Sequence, residues 1–184
     1  GCGTGRFAAR LEAEGARVIA LAAERGDLGL FSVARHWQKL FVILRRERPD
    51  IVHCISLRLV VIGGIASRLA GVRKLVLAPV GLGHLWIARD AKARLARWFT
   101  RLIVGHGLRR PGTQYVFENR EDPGEFDLDP NAPDVTIVGG SGVDPAIFKG
   151  TPEPPSPPVR VAVVARMTEA KGIEDCIAAA KRAR

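Results

Sequence analysis

The chain has 184 residues, 47% hydrophobic and 26% charged, a balance ordinary for a globular protein with a real core. No run of about 18 uncharged apolar residues occurs, so no membrane-spanning helix is expected within these 184 residues, and they do not open on a charged-then-apolar stretch. Cys2, Cys54 and Cys176 match neither a metal-ligand spacing nor a disulfide framework, and 28 Lys and Arg against 19 Asp and Glu give a net charge of +9, which favours anionic partners.

In chain order, residues 5–14 read as a helix and 16–21 (ARVIAL) as a strand. An amphipathic helix over 32–48 stops at Pro49, and 50–55 (DIVHCI) forms a buried strand in which His53 is a satisfied core histidine. A helix at 57–70, a strand at 74–80, a long basic helix at 88–108 and short strands at 114–117 and 135–138 follow. Repeated β-then-α units of this size imply an α/β fold, a Rossmann-like parallel sheet with helices on both faces.

Residues 149–158 (KGTPEPPSPP) hold five prolines in ten residues and read as a semi-rigid linker. Beyond it, 159–165 (VRVAVVA) restarts with a buried strand, followed by a helix over 172–183. One strand and one helix cannot bury a core, so the expected organisation is a first domain at 1–148, the linker, and the opening β-α unit of a second Rossmann-like domain at 159–184.

The motifs at this boundary carry the most information. Residues 138–144 read V-G-G-S-G-V-D, then come Phe148, the linker, a strand, and A-R-M-T-E-A-K-G-I. This order resembles the interdomain stretch of family 4 retaining glycosyltransferases of the GT-B type. Pro49 to His53 (P-D-I-V-H) and the small-residue helix around Gly63 are similar to the same family. Val80 to His84 (V-G-L-G-H) and residues 116–126 (V-F-E-N-R-E-D-P-G-E-F) resemble the G-L-G and F-x-N-x-x-D motifs of a subgroup that builds bacterial capsule, O-antigen and glycoprotein oligosaccharides.

Some residues can be read physically beside that resemblance. Arg166 follows a strand and Lys171 precedes a helix amino terminus, a place that suits phosphate. Either the two cations flank a nucleotide diphosphate, the role the resemblance implies, or Arg166 pairs with Glu169 while Lys171 is solvated. Gly81 and Gly83 allow a tight turn or the close approach of an acceptor. Asn119 and Asp122 follow a strand at the rim of the acceptor cleft, and Asn119 either bonds a ligand or caps the next short helix. Ser141, Gly142 and Asp144 form a hinge or contact the ligand where the domains meet. No catalytic base is assigned, and no metal ligand.

The resemblance implies transfer of a sugar, with retention and without metal or cofactor, from a nucleotide-sugar, expected to be linked to uridine diphosphate, to a polyprenyl-diphosphate-linked saccharide. It also implies a cytoplasmic enzyme peripheral to the inner face of the cell membrane. In the basic helix 88–108, Ala91, Leu95, Trp98, Phe99 and Leu102 share one face, while Arg89, Lys92, Arg94, Arg97 and Arg101 lie mostly on the rest. That pattern fits an anionic membrane surface or ordinary core packing, and the resemblance favours the membrane. Nucleic acid is not an expected partner, since no recognised binding motif is present.

The opening fits a different class. Gly1-Cys2-Gly3-Thr4-Gly5, then ARVIAL and Glu24, resembles the cofactor loop of class I methyltransferases that use S-adenosylmethionine. That reading accounts for about 25 residues and the glycosyltransferase for those from Ala16 onward, which favours the latter. The abrupt start without Met reads as truncation, and the family's paired donor-sugar glutamates are expected beyond Arg184, which would leave this fragment inactive by itself.

Overall fold

The structure is a computed structural model, and it describes residues 7–21, 30–140, 142–153, 155, 157, 159–165, 167 and 171–183. Among these residues, four strands form one all-parallel sheet in the order β1-β2-β3-β4: β1 (Ile51–Ile55), β2 (Lys74–Ala78), β3 (Thr113–Phe117) and β4 (Val135–Ile137). Residues 51, 53 and 55 oppose 74, 76 and 78, which fixes which side chains share a face. The described α-helices are α1 (Ala8–Ala13), α2 (Leu30–Glu47), α3 (Leu57–Leu69), a one-turn α4 (His84–Ile87), α5 (Ala91–Arg101) and α6 (Ile173–Arg182); α3 packs on β1 and β2 with α2 against it, the helix-flanked sheet of a Rossmann-like α/β domain.

One face of the sheet carries the core. Cys54, Leu75, Leu77, Tyr115 and Phe117 point into it, where Val60 of α3 and Val104, Leu108, Phe126 and Leu128 meet them. The helix α3 comes close because its inner surface is built from Gly63, Gly64, Ala66 and Ser67. A methyl on Gly63 would lie 3.0 Å from the Cys54 sulfur. Burial therefore seals that thiol and pushes its pKa up to about 11. Because the thiolate is the reactive form, iodoacetamide at neutral pH should label Cys176 and leave Cys54 unmodified until urea unfolds the protein. Peptide mass spectrometry checks this, and early labelling of Cys54 would mean that α3 does not seat as described.

The opposite face is exposed at Ile51, His53, Ile55, Gln114 and Thr136 among the described residues. This corrects the expected burial of His53. The segment 50–55 is apolar enough for burial on both sides, but only the Val52–Cys54 side is covered. Two expected strands also do not form. Residues 16–20 carry no strand and Leu21 makes one isolated bridge, while Arg17 pairs with Glu47 at the end of α2. In 159–165 no strand forms either: Val159, Val161 and Val164 are 79%, 84% and 97% exposed, since no neighbouring strand is present among the described residues to pair with them.

The predicted single helix over 88–108 is divided. Asp90 caps α5, its carboxylate accepting from the Ala93 amide at 2.7 Å, so the helix begins there. After Arg101 the chain continues as one π-helical turn, Leu102–Gly107. The Leu108 amide donates five residues back to Ile103, and the Tyr115 hydroxyl donates to the Val104 carbonyl at 2.5 Å. The turn ends in two weak helix formers, Gly105 and Gly107, and Gly105 sits directly against the backbone of Phe126.

Candidate functional site at the carboxyl ends of the strands

Because the strands are parallel, all four carboxyl ends emerge along one edge, where ligands of open α/β sheets bind. Four segments lie along it: Ser56 after β1, residues 79–83 after β2, 118–122 after β3 and 138–140 after β4. The Ser56 amide donates to the Ala78 carbonyl at 2.9 Å, and the Val138 amide to the Phe117 carbonyl at 2.9 Å, so neighbouring segments stay in register beyond the strands.

Gly81 and Gly83 hold φ of +68° and +66°, a region that strains other residues, and a methyl added at either would meet nothing within 4 Å. Backbone conformation, not crowding, therefore calls for glycine here, and the space beside the turn is open. Asn119 has an identified job. Its side-chain oxygen accepts from the amides of Glu121 at 3.1 Å and Asp122 at 2.8 Å, holding the start of a 3-10 helix, Asp122–Phe126. Asp144 is likewise engaged in its own turn, accepting from the Ala146 amide at 2.8 Å, and Gly142 lies in the left-handed region at φ +66°.

Ser56 is the position the sequence reading missed. It stands between β1 and α3 with φ 85° and ψ 146°, a conformation almost reserved for glycine, and its side chain makes no capping bond. The signal available in the sequence was a serine between a strand and a helix, which suggests an ordinary cap and gives no hint of strain.

Of the two cations assigned to a donor diphosphate, Lys171 is exposed and stands one residue before Gly172, which opens α6 at φ +63°. The first turn of α6 carries Glu174 and Asp175, acids that are themselves favourable at a helix amino end. Arg166, its alternative partner Glu169, Ser141 and Glu24 lie outside the described residues.

A cavity of about 760 Å³ opens at the opposite end of the sheet, lined in part by Arg45, Arg48, Asp50, Arg73 and Lys74. It sits at the amino ends of β1 and β2, away from the edge where the glycine turn and the other segments collect. Among the described residues no cluster of three or more His, Cys, Asp or Glu is placed to hold a metal ion, and no helix is long and apolar enough to cross a membrane.

A four-stranded parallel sheet flanked by helices, with glycine-bearing loops gathered at its carboxyl edge, defines a Rossmann-like domain consistent with the GT-B architecture. The chain belongs to the glycosyl transferase 4-like family, whose model matches residues 3–117, more than half of its length. That match begins inside the glycine-rich opening and so takes in most of the stretch on which the methyltransferase reading rested. No curated protein matches the chain. Family membership makes the protein a transferase of glycosyl groups.

Proposed function

We propose that the protein moves a sugar from a nucleotide-diphosphate donor, a uridine diphosphate-sugar, to a polyprenyl-diphosphate-linked saccharide, with retention of anomeric configuration, in the synthesis of a surface polysaccharide or glycoconjugate. The family match over residues 3–117 carries the reading. The finer assignment is supported by the run V-G-G-S-G-V-D, linker, R-x-x-x-x-K-G, which continues past the matched residues. The open turn at Gly81 and Gly83 is the acceptor side, where backbone can approach a sugar closely. Arg166 and Lys171 neutralise the diphosphate as it leaves, so neither a metal nor a cofactor is needed. The acceptor lipid sets the location, peripheral at the cytoplasmic face of the inner membrane.

The test is to incubate the complete gene product with a panel of uridine diphosphate-sugars and a short-chain polyprenyl-diphosphate saccharide. Nucleotide release should require the acceptor, persist in a chelator, and yield a product whose new linkage keeps the donor's configuration by NMR. Release that needs a divalent ion would remove the two-cation assignment, and an inverted product would remove the retaining one. No transfer from any nucleotide-sugar would remove the reading itself.

A further inference from the structure

The cavity at the amino ends of β1 and β2 collects positive charge that the protein itself does not answer. Arg45 and Arg48 reach it from the end of α2, Asp50 from the turn into β1, and Arg73 and Lys74 from the approach to β2. All five are exposed, and Asp50 is the acid among them. At about 760 Å³ the cavity is within the size range of small-molecule sites.

Basic side chains near helix carboxyl ends often bond the last carbonyls or offset the helix dipole. The carbonyls here are already taken. At the end of α3, those of Ala66, Ser67 and Arg68 accept from the amides of Ala70, Val72 and Gly71, and the Arg68 guanidinium donates to the carbonyls of Val72 at 3.2 Å and Arg73 at 2.9 Å. At the end of α2, the Leu44 carbonyl accepts from the Arg48 amide, and Glu47 pairs with Arg17. The side chains of Arg45, Arg48, Arg73 and Lys74 make no hydrogen bond or ion pair among the described residues. The dipoles of α2 and α3 together supply roughly one negative charge, and Asp50 one more, so about two of the four positive charges stay unanswered. Arg48 also holds φ of +47°, just past a helix end where glycine is the unstrained choice, so a guanidinium is presented to the cavity at a cost in backbone energy.

We infer that this cavity is a second ligand site, separate from the carboxyl edge of the sheet, and that it takes a small soluble molecule carrying two or more phosphate charges, either a diphosphate or a phosphate ester. Three guanidinium forks and one ammonium suit phosphate oxygens, and the Asp50 carboxylate can accept from a hydroxyl of an ester. The recessed shape favours a compact ligand over a nucleic-acid duplex, which needs an extended basic stripe. A bound anion bridges the end of α2 to the start of β2, so occupancy stabilises the fold. The inference does not depend on the proposed transfer.

Equilibrium dialysis of the full chain at fixed ionic strength tests this, with inorganic pyrophosphate and a hexose bisphosphate as probes. At least one should bind with a Kd below about 1 mM, and at tenfold that concentration should raise the Tm by about 2 °C or more. Tighter binding of pyrophosphate identifies the ligand as a diphosphate, tighter binding of the bisphosphate as an ester, and either supports the site. The double variant Arg45→Gln and Lys74→Gln, which alters exposed side chains alone, should weaken binding about tenfold or more while its unfolding without ligand stays that of the parent. Should that variant fail to fold, Arg48→Gly, which relieves the backbone at that position, should fold and still bind about threefold or more weakly. Lys171→Ala should bind the probes as the parent does, which separates this cavity from the diphosphate position assigned to Arg166 and Lys171. Binding of neither probe, parental affinity in the folded variants, or loss of binding in Lys171→Ala overturns the inference. So does a random-sequence DNA duplex that binds more tightly than either probe and is lost in the same variants. Without added anion, the complete gene product should turn over equally as parent and as Arg45→Gln with Lys74→Gln, and a loss there would place the cavity in the transfer site and overturn its separateness.

Discussion

Gly105→Ala is expected to destabilise the protein by about 3 kcal/mol or more, read as a fall in the urea midpoint. A methyl there would lie 2.0 Å from the Phe126 carbonyl oxygen and 3.1 Å from its carbon. Both atoms are backbone, so no side-chain rotation relieves the overlap, and one of two short helical turns must move. Phe126 is fully buried, with its ring 5.5 Å from Trp86 and 6.0 Å from Phe117, so displacing its backbone disturbs the centre of the core. Gly64→Ala is the instructive comparison. Its methyl would come within 2.6 Å of a Leu108 side-chain methyl, an atom that can rotate away, and alanine gains about 1 kcal/mol of helix propensity over glycine. The net change there should be within about 1 kcal/mol of zero. A Gly105→Ala protein that unfolds at the parental midpoint would mean that the π-helical turn is not seated on Phe126.

Arg166→Ala and Lys171→Ala, each made in the complete gene product, should lower turnover about a hundredfold or more while leaving the unfolding midpoint near the parent's. Lys171 is exposed beside the first turn of α6, where Glu174 and Asp175 also stand. If a diphosphate approaches that end, removing the lysine leaves it facing two carboxylates, so the penalty should fall on the reacting complex. If Lys171 merely pairs with those acids, the variant should change stability by less than about 1 kcal/mol and leave turnover intact. Lys171→Arg retains the charge and should recover part of the rate. Unchanged turnover in both alanine variants would remove the diphosphate assignment.

The strands that form are those whose β-branched runs have neighbours to pair with. Residues 51–55, 74–78, 113–117 and 135–137 all appear close to where the sequence puts them, because each lies beside another in the same sheet. VRVAVVA at 159–165 has the same composition, but composition reports only the tendency to pair, not the presence of a partner. His53 was misplaced for a related reason: periodicity shows which residues share a face, not whether that face is covered. In the candidate site, the glycines at 81 and 83 were legible because few residues adopt positive φ without strain. The Asn119 side-chain oxygen accepts from the Glu121 and Asp122 amides, a local turn that engages the oxygen and leaves the side-chain NH2 group to either role. Ser56 was illegible because its strain lies in the backbone, in a residue type that normally caps helices without it.

The strand order has a consequence for how the chain acquires its structure. Each strand pairs with the one that precedes it in sequence, so the sheet can lengthen from one side as the polypeptide emerges, each unit docking on a finished edge. Every closure then spans one helical connection, and its entropic cost stays modest because that cost rises only slowly with loop length. Damage is correspondingly lopsided. Losing β4 leaves three strands paired, whereas a break within β2 separates β1 from the rest of the sheet.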